Sequence, residues 1–209
     1  MVDRPGKIVC VGRNYVEHAK ELGNAVPDHP LIFLKPPSSV IGDGETIVLP
    51  SASERVEHEG EIGVVVGRRL KGADAAAARA AVAGIVCVND VTARDLQNAD
   101  GQWTRAKGFD TFCPVGPSVL EVGPRFDLDG LEVLCRVNGA LRQHARAAEM
   151  VFGIPAILAF ISGVMTLEPG DLVATGTPSG VGPLADGDVV EVEIPGVGTL
   201  RNPVRSEAR

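Results

Sequence analysis

The sequence has neither a long hydrophobic run nor a cluster of basic residues. No apolar stretch approaches the ~20 residues that a membrane-spanning helix needs, and no run of Lys or Arg is longer than a pair. The formal net charge is −7, which disfavours nucleic acid and anionic membranes as partners and favours a small-molecule substrate. The N-terminal stretch MVDRPGKIVCVG also lacks the basic and apolar regions of a secretory signal, so we expect a cytoplasmic protein.

Closely spaced cysteine pairs are also missing. The four cysteines, at positions 10, 87, 113 and 135, each lie in an apolar or strand-like segment, and none forms a CxxC motif. A structural zinc site needs close ligand pairs, and a nucleophilic thiol needs a histidine partner. We therefore predict four reduced cysteines in the core.

Short apolar segments bounded by Gly, Pro and Asp are what the sequence does contain. They predict strands at KIVCV, LIFLK, TIVLP, IGVVVG, GIVCVND, LEVLCRV, DLVATG, DVVEVEI and GTLRNPV. Helical patterns are fewer, at NYVEHAKEL with Asn14 as N-cap, DAAAARAAV with Asp74 as N-cap, and IPAILAFISGVM with Pro155 in its first turn. The pair Asn138-Gly139 predicts a type I′ hairpin. We expect a strand-rich α+β fold in one domain, residues 1–209, and not a doubly wound parallel sheet.

The segment VEHEGEIGVVVG carries the strongest chemical signal. Glu57, Glu59 and Glu61 alternate, so along an extended chain they point to one face. Two carboxylates at i and i+2 suit a hard cation such as Mg²⁺, although acids on a solvated edge strand give the same pattern. The apolar IGVVVG that follows favours an interior strand with the acids at its mouth.

Asp90 ends another apolar segment, GIVCVND, and is a candidate third ligand. The alternative is an N-cap for a short helix over TARDLQ, a cap that Asn89 or Thr92 could also supply. Three carboxylates would leave coordination positions of Mg²⁺ open for substrate, as a catalytic site requires.

His18 and Glu21 are three residues apart on a predicted helix and therefore share a face. A carboxylate that orients an imidazole can make water nucleophilic. An exposed His–Glu pair without a function is the alternative. The other three histidines lack a comparable partner and are assigned no role.

Lys107 lies in QWTRAKGFDTF, where Trp103, Phe109 and Phe112 are interleaved with polar residues as in a pocket wall. A lysine there could stabilise an oxyanion, and Gln97 is a further polar candidate. Ordinary exposed side chains at both positions are the alternative.

The turn ATGTPSGVG is rich in glycine and follows a predicted strand. Its backbone amides, together with Thr177, could bind an anionic carboxylate or phosphate, or the turn could be only a tight connection. It lacks the Gly-Lys-Ser/Thr ending of a P-loop, and the strand pattern after it argues against a dinucleotide fingerprint.

Taken in order, the segments CVGRNYVEHAKELG, PLIFLKPPSSV, VEHEGEIGVVVG, NDVTARDLQ, QWTRAKGFDTFCPVGP and ATGTPSGVG resemble the fumarylacetoacetate hydrolase family over nearly the whole chain. The likeness is to the short single-domain members, which include acylpyruvate hydrolases and oxaloacetate decarboxylases. It implies a strand-rich fold rolled around a metal site, usually in a homodimer. It also implies Mg²⁺ or Mn²⁺ held at the positions of Glu59, Glu61 and Asp90.

The same resemblance implies roles outside the metal site. The water-activating dyad falls on His18 and Glu21. Contacts to the oxygens of the substrate fall on Lys107, Gln97 and Thr177. Arg13 and Tyr15 match the GRNY motif near the same pocket.

Together these features predict a divalent-metal-dependent enzyme that cleaves a C–C bond in a small 2-oxo acid through a metal-bound enolate. Acylpyruvate hydrolysis would use water activated by His18 and Glu21, with Lys107 at the oxyanion, whereas oxaloacetate would lose CO₂ without an attacking water. An isomerase or hydratase of a 2-hydroxymuconate-type or 2-hydroxyhepta-2,4-diene-1,7-dioate-type substrate is the alternative. A non-catalytic, metal-stabilised binding protein is a third possibility.

Overall fold

The structure, a computed structural model, describes residues 5–21, 23 and 25–208. These residues form fifteen strands and five α-helices, so the predicted strand-rich α+β fold is confirmed. The strands are β1 (Ile8–Gly12), β2 (Leu31–Lys35), β3 (Val40–Ile41), β4 (Ile47–Leu49), β5 (Val56–His58), β6 (Gly60–Val66), β7 (Val82–Asn89), β8 (Thr92–Ala93), β9 (Cys113–Glu121), β10 (Glu132–Val137), β11 (Ala140–Arg146), β12 (Leu172–Ala174), β13 (Gly182–Pro183), β14 (Val189–Ile194) and β15 (Gly198–Ser206). The helices are α1 (Val16–Glu21), α2 (Ala75–Ala80), α3 (Arg94–Asp100), α4 (Thr104–Gly108) and α5 (Ile154–Val164).

The largest sheet has seven strands in the order β2-β1-β12-β6-β7-β9-β3. Strand β6 is hydrogen bonded to β12 on one side and to β7 on the other, so its unbroken apolar sequence fits a strand covered on both faces. Along β1, Val9 and Val11 belong to the main core cluster, whereas Ile8 and Cys10 belong to a second cluster on the opposite face. The predicted interior position of the strand after Glu61 is therefore confirmed.

Each apolar segment predicted as a strand contains one, but β9 was not predicted. Pro114, Gly116 and Pro117 lie inside β9 and resemble turn signals. The strand nevertheless pairs antiparallel with β7 and, at its start, parallel with β3. Tertiary pairing here overrides the local composition.

A second sheet has five strands in the order β11-β10-β14-β15-β4. The predicted hairpin joins β10 and β11, and Asn138 and Gly139 have φ values of 53° and 77°, as a type I′ turn requires. On β10, Cys135 packs closely on Gly60, the residue between Glu59 and Glu61 in the acid-bearing segment. A Cβ added to Gly60 would lie 2.9 Å from the Cβ of Cys135. The hairpin is thereby held beside the start of β6.

The three predicted helices are present, but one predicted cap is wrong. Asp74 caps α2 through a side-chain hydrogen bond of 2.8 Å, and Pro155 lies in the first turn of α5. The Asn14 amide instead donates to the Thr175 carbonyl at 2.8 Å, and its side-chain oxygen accepts from the Phe152 amide at 2.9 Å. These long-range bonds fasten the start of α1 to two distant segments. No helix among the described residues is long and apolar enough to cross a membrane.

Candidate active site

A cavity of about 510 Å³ lies where β6 begins and β7 ends. These strands are antiparallel and Gly60 pairs with Asn89, so the two strand ends meet at one edge of the sheet. The cavity is lined by nine of the ten residues predicted for the site, namely Arg13, His18, Glu21, Glu59, Glu61, Asp90, Gln97, Lys107 and Thr177.

Three carboxylates converge in this cavity. Glu59, Glu61 and Asp90 each offer an oxygen, and the three atoms lie within 4.8 Å of one another. Two hydrogen bonds bring the segments together: the Asp90 amide donates to the Glu59 carbonyl (2.8 Å), and the Glu59 amide donates to the side-chain oxygen of Asn89 (3.0 Å). All three acids are at most 4% exposed, so they do not form a solvated edge.

Asp90 does not cap a helix. Helix α3 begins at Arg94 with Ala93 in the capping position and no side-chain cap. The Asp90 carboxylate instead accepts hydrogen bonds from the ammonium groups of Lys35 and Lys107, both at 2.6 Å. Asp90 thus belongs to a buried cluster of charged side chains.

Basic side chains neutralise most of this buried negative charge. Lys107 bridges Asp90 and Glu59, with 2.7 Å from its nitrogen to the Glu59 oxygen. Arg94 donates to the other Glu59 oxygen at 2.5 Å and to Glu57 at 2.7 Å. Burial alone would raise the pKa of Glu59, but the charges of Lys107 and Arg94 hold that pKa well below its usual range.

Glu61 is the least compensated acid of the cluster. One of its oxygens accepts a hydrogen bond from the Gly176 amide at 2.8 Å, and no salt bridge to it is formed within the described residues. Burial and the neighbouring charges of Asp90 and Glu59 raise the pKa of Glu61 well above its usual value. An additional cation among the three carboxylates would offset this repulsion, and an all-oxygen donor set suits Mg²⁺ or Mn²⁺. The residues present therefore fit a divalent cation.

His18 and Glu21 lie together at the wall of the cavity. The Nδ1 atom of His18 is 3.3 Å from a carboxylate oxygen of Glu21, and His18 is only 4% exposed. Glu21 also accepts a hydrogen bond from the Gly180 amide at 3.0 Å, so the carboxylate is held from two sides. Leu22, the last residue of the helix predicted here, lies outside the described residues.

Two backbone amides of the glycine-rich turn after β12 donate hydrogen bonds to acidic side chains of the protein. Gly176 donates to Glu61 and Gly180 donates to Glu21. The Thr177 hydroxyl donates to the Gly60 carbonyl at 2.9 Å. The turn thus connects the acid cluster to the dyad, and these donors are already engaged without a bound anion.

Aromatic and basic side chains also line the cavity. The Lys107 ammonium lies 5.0 Å from the centre of the Phe33 ring, and the Arg13 guanidinium lies 5.9 Å from that of Trp103. Gln97 accepts a hydrogen bond from Arg94 at 2.5 Å. Of the aromatic residues predicted for this wall, Trp103 lines the cavity, whereas Phe112 is fully buried and Phe109 packs against the core.

Tyr15 is the one predicted site residue that does not line the cavity. It is 3% exposed and forms an isolated bridge with Met150. Burial, followed by the charge of Glu61, raises the pKa of Tyr15, and its hydroxyl has no hydrogen-bond partner among the described residues. The functions assigned to Tyr15 and to the nine cavity residues stay predictions.

Sequence patterns missed several buried polar residues around the site. Lys35 was interpreted only as the end of a strand, and Arg94 and Gln143 received no role. A lysine at the end of a strand is ordinarily exposed, so no local signal marks Lys35 as buried. Arg94 and Gln143 carry no local signal either.

Known proteins resemble this chain in sequence and fold over nearly its whole length. The profile described as fumarylacetoacetate (FAA) hydrolase C-terminal matches residues 7–205, a span that includes all ten predicted site residues. The solved structure of 2-hydroxyhepta-2,4-diene-1,7-dioate isomerase from Mycobacterium marinum is 48% identical, with a TM-score of 0.88, over 99% of this chain and 77% of that one. The mitochondrial oxaloacetate decarboxylase of Dictyostelium discoideum is 42% identical over 92% of this chain and 90% of its own. The mitochondrial oxaloacetate tautomerase of Bos taurus is 42% identical over 97% of this chain and 68% of its own.

Proposed function

Since this chain belongs to the fumarylacetoacetate hydrolase family, we propose that it is a Mg²⁺- or Mn²⁺-dependent enzyme that decarboxylates oxaloacetate. The observation that carries the proposal is the convergence of Glu59, Glu61 and Asp90 in a cavity that also holds Lys107 and His18. Two relatives at 42% identity are named for oxaloacetate, which supports this choice of 2-oxo acid.

The metal would be held by Glu59, Glu61 and Asp90. A divalent ion in such a site acts as a Lewis acid on the carbonyl of a 2-oxo acid. Lys35 and Arg94 keep the carboxylates in place from outside the cluster, since each pairs with one of these acids. The protein thereby presents the three oxygens in one arrangement before substrate arrives.

Arg13 is the group we assign to a carboxylate of the substrate. Arg94 is engaged by Glu57 and Glu59, whereas Arg13 forms no salt bridge with any acid among the described residues. Its guanidinium lies over Trp103 at the cavity wall. A guanidinium in that position can donate two parallel hydrogen bonds to a carboxylate.

Decarboxylation breaks the bond between C3 and C4 of oxaloacetate, and its electron pair moves towards the oxygen on C2 as CO₂ leaves. Lys107 is placed to stabilise that negative charge, because Glu59 and Asp90 hold its ammonium beside the carboxylate cluster. These two acids also raise the pKa of Lys107 against the effect of burial, so it stays charged at neutral pH. Water then supplies the proton that is added at C3 to give pyruvate.

Keto–enol isomerisation is the second candidate reaction. Acylpyruvate hydrolysis is a further reaction that we propose for the same site. The isomerase name of the Mycobacterium marinum structure and the tautomerase name of the bovine relative favour isomerisation. Both isomerisation and hydrolysis need a general base, for which His18 held by Glu21 is the candidate. Homodimeric assembly and a cytoplasmic location also stay predictions.

The test measures decarboxylation and isomerisation of oxaloacetate in one incubation. Metal-stripped protein receives oxaloacetate with and without Mg²⁺ or Mn²⁺, and NMR follows pyruvate formation and the keto–enol ratio. Acylpyruvates are tested in parallel for pyruvate release. Wild type is compared with His18→Ala and Glu59→Gln.

Decarboxylation predicts metal-dependent pyruvate that is lost in Glu59→Gln and largely kept in His18→Ala, because loss of CO₂ requires no base. If wild type speeds keto–enol exchange without forming pyruvate, and His18→Ala abolishes that exchange, isomerisation replaces decarboxylation as the proposed reaction. If the protein turns over none of these substrates and folds only with the metal bound, the non-catalytic, metal-stabilised binding protein is favoured.

A further inference from the structure

Gln143, in the middle of β11, uses the whole hydrogen-bonding capacity of its amide. Its side-chain oxygen accepts from the Gly60 amide at 3.0 Å and lies 3.1 Å from Nδ1 of His58. Its nitrogen donates to the Thr177 hydroxyl and to the Pro178 carbonyl, both at 2.7 Å. Two donor and two acceptor contacts satisfy this buried side chain completely. Gln143 therefore links the acid-bearing segment to the glycine-rich turn.

The turn formed by residues 176–180 contacts both halves of the site. At its start, the Gly176 amide donates to Glu61 of the carboxylate cluster (2.8 Å). At its end, the Gly180 amide donates to Glu21, the partner of His18 (3.0 Å). The middle of the turn, at Thr177 and Pro178, is where the Gln143 side chain is attached.

Close packing fixes both ends of the turn. Gly176 has a φ of 102°, and a Cβ on it would lie 2.7 Å from the Cβ of Asn14. Gly180 has a φ of 99°, and a Cβ on it would overlap the carbonyl oxygen of Arg142, the neighbour of Gln143. The turn thus has little room to move independently of β11 or of the start of α1.

We propose that Gln143 is a positioning residue that sets the separation of the carboxylate cluster and the His18–Glu21 pair through the turn at residues 176–180. The side chain holds Gly60, next to the acids, with its oxygen, and the turn with its nitrogen. This assignment rests on the proposed function for its catalytic consequence. The contacts themselves require neither turnover nor a bound metal.

Gln143→Glu tests the link with almost no change in side-chain size. The carboxylate still accepts from Gly60, but it cannot donate to the Pro178 carbonyl and is repelled by it. The matched control is His144→Gln, the next residue on β11, whose exposed ring contacts only Glu132 among the described side chains. If Gln143→Glu fails to fold, Thr177→Val removes only the hydroxyl on the turn and receives the same measurements.

Hydrogen–deuterium exchange and Mn²⁺ binding are the readouts. We expect peptides that cover residues 176–180 to exchange about tenfold faster in Gln143→Glu, as the loss of one buried hydrogen bond implies. Strands β7 and β14 should keep the wild-type rate. Mn²⁺ affinity, measured by electron paramagnetic resonance, should weaken by about tenfold because Glu61 loses its fixed position.

Two results would overturn the proposal. One is unchanged exchange in the turn. The other is a uniform increase in exchange across all strands, which would mean that Gln143 only stabilises the fold. Exchange is measured on the protein without substrate. Either result therefore still tests the role of Gln143 if the wild type proves inactive towards oxaloacetate.

Discussion

The two ends of the β6–β7 pair are equally buried but are stabilised in different ways. At one end, Val64 and Val66 pack in the main core cluster and are at most 1% exposed. At the other end, Glu59, Glu61 and Asp90 are buried almost as completely, and basic side chains surround them. Packing of apolar groups is favourable by itself, whereas burying charges is roughly neutral at best and becomes costly once a partner is missing. The polar end is therefore expected to serve function and not stability.

The polar end is also uneven within itself. Glu59 and Asp90 are each bonded to two cationic side chains, but within the described part of the chain Glu61 is bonded only to a backbone amide. Like charges close together in a dry site repel each other unless a cation intervenes. The carboxylate that the protein leaves least neutralised is the one that a metal ion would stabilise most.

The largest effect on stability is expected from Lys35→Met at the polar end. Removing this buried ammonium leaves one Asp90 oxygen without its partner at 2.6 Å and should lower the free energy of unfolding by about 3–5 kcal/mol. Urea denaturation in EDTA measures the loss. The control is Lys20→Met, because Lys20 pairs with Glu17 on the surface, and we expect a change of about 0–1 kcal/mol. Equal effects of the two substitutions would contradict the importance of the buried pair.

At the apolar end, Ile85→Ala should lower the free energy of unfolding by about 2–4 kcal/mol, because Ile85 is fully buried and the substitution leaves a cavity. Mn²⁺ affinity should stay at the wild-type value, since Ile85 pairs with Val64, three residues along β6 from Glu61. Denaturation and Mn²⁺ titration on the same preparation test the separation of the two ends. Loss of Mn²⁺ binding in a folded Ile85→Ala protein would show that the ends are coupled.

Glu61→Gln should stabilise the metal-free protein by about 1 kcal/mol, the usual size of a stabilising substitution. The neutral amide can still accept from Gly176, and the repulsion by Asp90 and Glu59 disappears. Because the folded-state pKa of Glu61 is raised, the wild type loses stability as pH rises from the ordinary glutamate pKa through the folded one. The advantage of the variant should therefore grow with pH. Denaturation in EDTA at pH 5 and pH 8 measures it, and a variant less stable than wild type at pH 8 would refute this view of Glu61.

The smallest effect concerns the four thiols. All four are free and buried. Burial raises the pKa of Cys87, Cys113 and Cys135 to about 12 and that of Cys10 well above its usual value. We expect a thiol-specific reagent at pH 8 to modify none of them quickly in the native protein and all four in guanidinium. A fast-reacting native thiol would show that one side of the core opens to solvent.

Local patterns were sufficient for much of the fold. The unbroken apolar sequence of β6, the Asp74 cap and the Asn138-Gly139 hairpin depend on neighbours in sequence, and the structure confirms each of them. Strand β9 was missed because its pairing with β7 outweighs its prolines.

The polar end was only partly accessible from sequence. Local patterns marked the alternating acids, Asp90, the His18–Glu21 pair, Lys107, Gln97 and Thr177 as candidates, and the family resemblance added Arg13. The partners that neutralise or orient them were not visible, because Lys35 is 55 residues from Asp90 and Gln143 is 34 residues from Thr177. Only the folded chain brings these groups into contact. The wrong cap at Asn14 has the same cause, since its partners lie at Phe152 and Thr175.

Direct Mn²⁺ titration of Glu59→Gln against Glu57→Gln tests the central claim most closely. Both substitutions remove one buried negative charge from the same segment, but Glu57 faces Arg55 and Arg94, whereas Glu59 belongs to the carboxylate triad. We predict one Mn²⁺ per chain, by electron paramagnetic resonance, in the wild type and in Glu57→Gln, and at least about tenfold weaker binding in Glu59→Gln, as loss of one ligand implies. Equal binding by the two variants, or no binding by the wild type, would contradict a metal site formed by Glu59, Glu61 and Asp90.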